Sequence, residues 1–209
     1  MRYKNVIFDM DGVLIDNSEG ITSTAKYAIE KLGLPVPEMS TLRKFIGPAL
    51  VWSLQEYCGA TEEQAMLGLK IYREKYLVTG IKQFVLYDGV YDTVKALFEA
   101  GVRLSVSSGK PIECVNNILV QSGMTKFFEV TAGTTFPAKV SHKDEQMKKA
   151  VLDRPALMVG DRVFDLECAK KANVDCAFAR YGFGDASDYA EIKPKYFIDK
   201  ATDLLAIVL

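Results

Sequence analysis

The amino-acid sequence predicts an α/β protein, a doubly wound parallel-sheet core interrupted after its first strand by an all-helical insertion. Three observations predict this. Short apolar runs such as "VIF" (Val6 to Phe8) and "ALMVG" (Ala156 to Gly160) are uninterrupted, as strands buried on both faces must be. Segments of helical spacing alternate with such runs through the second half of the chain. From about Asn17 to Tyr87 that alternation stops, leaving helix-like segments and no convincing strand.

In chain order, "VIF" ends in "DMDG", which places two aspartates where the first strand stops. The insertion holds "SEGITSTAKYAIEKLG", "TLRKFIG", "ALVWSLQEYCG" and "TEEQAMLGLKIYREKYLVTG", with the Pro-rich "GLPVPEM" (Gly33 to Met39) marking a turn. Trp52, Tyr72 and Tyr76 on these helices are expected to form the insertion's own core. Beyond it, "VRLSVS" is a β-branched strand. "KPIECVNNILVQSG" is a helix with Pro111 at its first turn and Gly123 at its stop. "FFEVTA" is the next strand, and "SHKDEQMKKAVL" a helix N-capped by Ser141 with Asp144 three positions on. "ALMVG" precedes the helical "DRVFDLECAKKAN", and "VDCAFA", "YFI" and a helical "DLLAIVL" close the pattern. The expected division is residues 1–16 with 88–209 for the α/β core and 17–87 for the helical domain.

Composition narrows function. The 209 residues are 49% hydrophobic and 25% charged, enough for one substantial core plus an insertion. Lys and Arg number 26 against 27 Asp and Glu, for a formal net charge of −1, and no basic run favours a nucleic-acid or membrane partner. Cys58, Cys114, Cys168 and Cys176 form no C-x-x-C pair, which speaks against a zinc site and a disulfide framework and for reduced thiols. The start resembles no signal peptide, and no stretch reaches spanning length, so a cytoplasmic protein, monomeric by default, is expected.

Ligands of open parallel sheets bind beyond the carboxyl ends of the strands. Asp9 and Asp11 follow the first strand, Ser107 and Ser108 follow "VRLSV", and Asp161 follows "ALMVG". Three strands thus deliver polar groups to one edge. Asp165 stands four residues after Asp161 at helical spacing, so both carboxylates can face one point. Lys143, near a helix start, is the available cation. Gathered carboxylates repel one another unless a cation is shared among them, and an all-oxygen donor set suggests Mg²⁺. Acids, a hydroxyl and a lysine together suit phosphoryl chemistry, in which a carboxylate forms an aspartyl-phosphate.

Each element also has a plainer interpretation. "DMDG" alone is a turn, Asp161 a helix N-cap, Ser108 a turn residue and Lys143 a solvated charge. An EF-hand fails because Val13 and Leu14 occupy positions that need Asp or Asn and then Gly. A P-loop fails because Leu104 replaces its first glycine and Pro111 its Ser or Thr. Joint occurrence, in order and each at a strand end or helix start, favours a site.

With these residues in view, the sequence resembles the haloacid dehalogenase superfamily, whose core is Rossmann-like, and in particular its phosphoglycolate phosphatase-like members with a helical C1-type cap. "DMDGVLID" resembles the first motif, "SVSSGKP" the second, "SHKDE" the third and "VGDRVFD" the fourth. The resemblance implies Asp9 as nucleophile, with Asp11 as general acid and then base; a dehalogenase lacks the second Asp. It implies Ser108, three positions before Pro111, as the phosphate-binding hydroxyl in preference to Ser107. Lys143, Gly109 and the backbone near Met10 would complete the phosphate cradle. Mg²⁺ would be held by Asp9, Asp161 and the Asp11 carbonyl, with Asp165 in support. "FIGPAL" resembles the cap's specificity loop, which singles out Arg43, Phe45, Gly47 and Pro48, although Arg43 and Lys44 also read as a solvated helix face. "RYGFGD" (Arg180 to Asp185) resembles a loop near the site, and its glycines also read as a simple turn. His142, the sole histidine, is expected at the surface.

The implied function is a Mg²⁺-dependent phosphomonoesterase acting on a small phosphorylated metabolite, phosphoglycolate by analogy. Alternatives are a nucleotidase or pyrophosphatase of the same family, a phosphomutase related to β-phosphoglucomutase, and a binding module that has lost catalysis. "KFIGPALVWSL" resembles the phosphatase loop more than the mutase's Arg- and Ser-bearing one.

Overall fold

The computed structural model describes residues 1–135 and 143–209, so the expected Ser141 cap and His142 lie outside the described residues. The chain divides into two compact units, one built on Met1–Asp16 and the chain from Leu86 onward, the other on Asn17–Val85.

In chain order the elements begin with β1 (Asn5–Phe8), β2 (Ile15–Asp16), α1 (Ser18–Lys31), α2 (Met39–Leu42), α3 (Leu50–Cys58) and α4 (Glu62–Val78). Then come β3 (Val85–Leu86), α5 (Val90–Glu99), β4 (Arg103–Pro111), α6 (Ile112–Gln121), β5 (Val130–Thr134) and α7 (Lys143–Ala150). The chain closes with β6 (Ala156–Gly160), α8 (Val163–Ala172), β7 (Asp175–Ala179), β8 (Tyr196–Ile198) and α9 (Asp203–Val208).

The first unit is a six-stranded sheet in the order β5-β4-β1-β6-β7-β8, each described pairing parallel. β1 and β6 are buried at every position, because helices cover both faces of a parallel sheet and leave no strand position for a polar side chain in water. Ile7, Met158 and Phe178 from three strands pack with Met147 of α7 and Leu166 of α8 in one core cluster. β1 pairs with β4 on one side and β6 on the other, so the order of travel through the sheet reverses around β1, where open sheets bind ligands.

The expected strands and helices of the second half are present, with two differences. Pro111 ends β4 and precedes α6 with an extended ψ of 136°, so it initiates the helix from outside its first turn. α5, to which no expectation was attached, fills the stretch before β4, where its buried face (Val90, Val94, Leu97) recurs at helical spacing.

The second unit is helical. Ala25 and Ile29 of α1, Leu54 of α3 and Ala65 of α4 share a core with Leu42 and Phe45. α4 opens on a capping box between Thr61 and Gln64. Tyr76 is buried, as expected, and Tyr72 packs on this core, stacked on Tyr76 with ring centroids 5.4 Å apart. Trp52 differs from expectation: it is 48% exposed and meets Tyr57 edge-on at 5.5 Å, because the buried face of α3 runs through Ser53 and Leu54. Two-residue strands β2 and β3 pair with each other at the junctions of the insertion, where no strand was expected.

No described helix is long and apolar enough to cross a membrane. The four cysteines are free thiols, three of them buried. Ile7→Ala, which opens a cavity under the central strand, is expected to cost about 2–5 kcal/mol, whereas Leu77→Ala, at a position 47% exposed, should cost under about 0.5 kcal/mol. Urea denaturation of both variants measures the contrast.

Candidate active site

The site is assembled within the first unit from the ends of β1, β4 and β6 and the first turns of α7 and α8. Asp9 directly follows β1, and its N–H donates to the Val159 carbonyl at 2.9 Å, extending the ladder one residue past the strand. The chain then turns tightly: the N–H groups of Leu14 and Ile15 both donate to the Met10 carbonyl, and Gly12 adopts φ +84°. Asp9 is thereby buried, while Asp11 remains 22% exposed in its side chain.

Asp161 is the first residue past β6, and Asp165 lies one turn on, in α8. The i,i+4 expectation is met in a particular way. Asp165 Oδ2 accepts the N–H groups of both Asp161 and Arg162 at 3.0 Å, satisfying helix-start donors from within the helix. Lys143 opens α7, and its Nζ lies 2.9 Å from Asp9 Oδ2 and against Asp165 Oδ1. One oxygen each from Asp9, Asp161 and Asp165 lie within 4.8 Å of one another.

Burial and charge pull these groups in opposite directions. Loss of hydration pushes the Asp9 carboxyl up to about 7; Lys143 opposes the shift, while Asp165 and Asp11 add to it. Burial, then the charges of Asp165 and Asp9, also hold Asp161 well above the usual carboxylate range. Burial disfavours the Lys143 ammonium, yet Asp165 and Asp9 outweigh that cost and raise its pKa. The Oδ1 atoms of Asp9 and Asp161 are buried without a hydrogen bond, an expensive arrangement unless a cation completes it.

β4 contributes a residue beyond those expected. Its pairing with β5 shifts between Ser107 and Pro111, a bulge that re-aims the side chains there. The bulge is pinned twice, by the Thr134 hydroxyl donating to the Gly109 carbonyl and by the Lys110 N–H donating to the Ser108 hydroxyl, both at 3.2 Å. Ser107 is enclosed in the sheet with an unpartnered hydroxyl. Lys110, which sequence reasoning missed, places its Nζ 2.9 Å from Asp11 Oδ2, with its side chain only 7% exposed. Its signal was its place in "SSGKP", one residue past the glycine of a strand-end turn.

"RYGFGD" is also more than a turn. Phe183 N–H donates to Asp161 Oδ2 at 2.7 Å, and Tyr181 donates its hydroxyl to the Val13 carbonyl at 3.1 Å. A Cβ on Gly182 would lie 2.5 Å from the Asp161 Cβ, and one on Gly12 only 2.1 Å from Asp161 Oδ2, so both positions exclude any side chain. Of the specificity candidates, Arg43 is exposed, Phe45 is buried in the helical unit's core against Tyr57 at 5.6 Å, and Gly47 turns the chain with φ +106° before Pro48.

A doubly wound sheet with buried carboxylates and lysines gathered beyond its central strands defines a hydrolase whose chemistry is carried by acids. The particular family follows: this chain belongs to the haloacid dehalogenase-like hydrolases, whose family model matches residues 6–179. It is 31% identical to the 5'-nucleotidase of Pseudomonas aeruginosa over 99% of this chain and 95% of that one. It is 30% identical to the pyrophosphatase PpaX of Listeria innocua over 99% and 97%. The crystal structure of a predicted phosphatase from Clostridium acetobutylicum superimposes with a TM-score of 0.90, at 30% identity and covering 99% and 98%. The chain is an enzyme of this family's phosphatase class. Hydrolases of the family generally use a divalent metal.

Because the glycines hold the carboxylate geometry by leaving room for it, Gly12→Ala and Gly182→Ala should each lower stability by roughly 1–3 kcal/mol. Thermal unfolding of both variants measures the loss.

Proposed function

We propose that this chain is a Mg²⁺-dependent phosphomonoesterase that hydrolyses a small phosphorylated metabolite through an aspartyl-phosphate. The observation that carries this reading is Asp9: a carboxylate buried just past the central strand, one oxygen unpartnered and the other 2.9 Å from Lys143. Such a carboxylate is dry enough to be nucleophilic and has a cation at hand for the incoming phosphate.

The donor set fits the metal. Among the described residues, Asp9 Oδ1 and Asp161 Oδ1 are buried with neither a hydrogen bond nor an ion pair, and four carboxylates (Asp9, Asp11, Asp161, Asp165) face two ammoniums (Lys110, Lys143), a formal excess matched by one divalent cation. Asp9, Asp161 and the Asp11 carbonyl would hold it, supported by Asp165, and once bound it supplies positive charge to neutralise the transferring phosphoryl group.

The chain's own residues do the rest. Asp9 attacks phosphorus while Asp11 gives a proton to the leaving alkoxide. Lys143, the Ser108 hydroxyl and the backbone N–H groups of Met10 and Gly109 bind the phosphoryl oxygens. Asp11 then takes a proton from the water that cleaves the aspartyl-phosphate. Residues 17–87 act as the cap, in which Phe45 anchors the segment carrying Arg43, Gly47 and Pro48, the residues that select the substrate.

Phosphoglycolate, nucleoside monophosphates and pyrophosphate are the candidate substrates. Near-full-length relatives named 5'-nucleotidase and pyrophosphatase favour the last two. Phosphate release from this panel and from sugar phosphates, with Mg²⁺ or EDTA, tests the proposal. Mg²⁺-dependent release from one class, lost in EDTA and in Asp9→Asn, is expected. Release from no member sinks the phosphatase reading, and isomerisation of a glucose phosphate with added bisphosphate would then point to the mutase.

A further inference from the structure

The lysine on the β4 bulge is a buried charge for which binding of the transferred phosphate gives no account. Lys143 already lies against Asp9 and Asp165. Lys110 Nζ lies instead 2.9 Å from Asp11 Oδ2, and its side chain is 7% exposed while that of Asp11 is 22% exposed. Burying an ammonium costs several kcal/mol unless a close anion compensates, so the pair holds both groups in place. The local chain is shaped to produce this contact. The register of β4 against β5 slips between Ser107 and Pro111, and the Thr134 hydroxyl and the Lys110 N–H fix the slipped segment at 3.2 Å contacts on either side of Gly109.

We propose that Lys110 is a positioning residue for Asp11, holding its carboxylate oriented to activate the water that cleaves the aspartyl-phosphate. This rests on the phosphatase reading and deepens it. In the step concerned, the water oxygen forms a bond to phosphorus while one water proton passes to the Asp11 carboxylate. The bond between phosphorus and the Asp9 oxygen breaks, and its electron pair returns to Asp9 as carboxylate. An ammonium fixed on one carboxylate oxygen suits an acceptor in this second half. It adds nothing to the first half, in which an activated ester departs without a proton. Loss of Lys110 therefore slows dephosphorylation selectively, because a mis-set catalytic group costs on the order of 10²-fold.

The test is rapid mixing of the full chain with p-nitrophenyl phosphate and Mg²⁺, comparing wild type, Lys110→Met, Lys110→Arg and Asp9→Asn. Lys110→Met is expected to release a burst of about one nitrophenol per active site, at a first-turnover rate within about threefold of wild type. Its steady-state rate should then fall on the order of 10²-fold, with an acid-stable, hydroxylamine-labile phosphoenzyme accumulating and KM no higher than in wild type. Lys110→Arg should recover most of the steady-state rate. The burst amplitude counts correctly folded sites, so a merely structural defect shows as a smaller burst and not as a stalled second half. A slowed burst, a raised KM at unchanged kcat, or a Lys110→Met enzyme equal to wild type would each overturn the assignment while leaving the phosphatase reading intact. Failure of wild type to turn over any ester, with no phosphoenzyme, would overturn both.

Discussion

The ammonium of Lys143, set between Asp9 and Asp165, is the interaction on which the rest of the site depends. It joins the ends of three elements, β1, α7 and α8, through two buried carboxylates. Asp165 in turn accepts the N–H groups of Asp161 and Arg162, so the same charge network fixes where α8 begins and where the Asp161 side chain stands. Removing the ammonium would leave two buried carboxylates uncompensated, a cost of several kcal/mol. Catalytic geometry and local folding are therefore one constraint.

The backbone around this network is shaped by what it excludes. Gly12 and Gly182 leave the space in which the Asp161 carboxylate sits, and the Phe183 N–H fixes its orientation. Tyr181 ties the same loop to the Val13 carbonyl, and Tyr87 packs edge-on against Tyr181 at 5.0 Å. Turn, loop and strand end, from three distant stretches of sequence, thus enclose the Asp161 carboxylate. Each of these hydrogen bonds pairs one side-chain atom with one main-chain group.

These devices differ in how visible they are in the sequence. "VIF" and "ALMVG" are legible as central strands because burial on both faces removes every polar residue, and a run of that kind has few other uses. Asp161 and Asp165 are legible as a pair because the helix itself fixes their spacing. Lys110 is not, since its role is created by a register slip that no periodicity announces. The contact from Phe183 to Asp161 spans 22 residues and uses only a main-chain N–H, so no side-chain pattern encodes it. Trp52 misled for a related reason: an amphipathic helix shows which residues are apolar, but α3 buries its narrow Ser53–Leu54 face and leaves the largest side chain outside. The two-residue strands β2 and β3 fall below any length at which alternation can be read.

Charge balance links these features of the site. In the wild-type protein the four aspartates carry two ammoniums, each held against a particular acid: Lys143 on Asp9 and Asp165, Lys110 on Asp11. Among the described residues, Asp161 is the member with no ammonium within ion-pair distance, and its Oδ2 is satisfied by a main-chain N–H while its Oδ1 is buried without a hydrogen bond. Burial, then the charges of Asp165 and Asp9, raise the Asp161 pKa. The proposed mechanism uses this asymmetry, with a divalent cation at the Asp161 end and the phosphate at the Lys143 end. The two lysines keep Asp9 and Asp11 on separate counter-charges. In the proposed mechanism, that separation suits Asp9 and Asp11, two residues apart in the chain, to different roles.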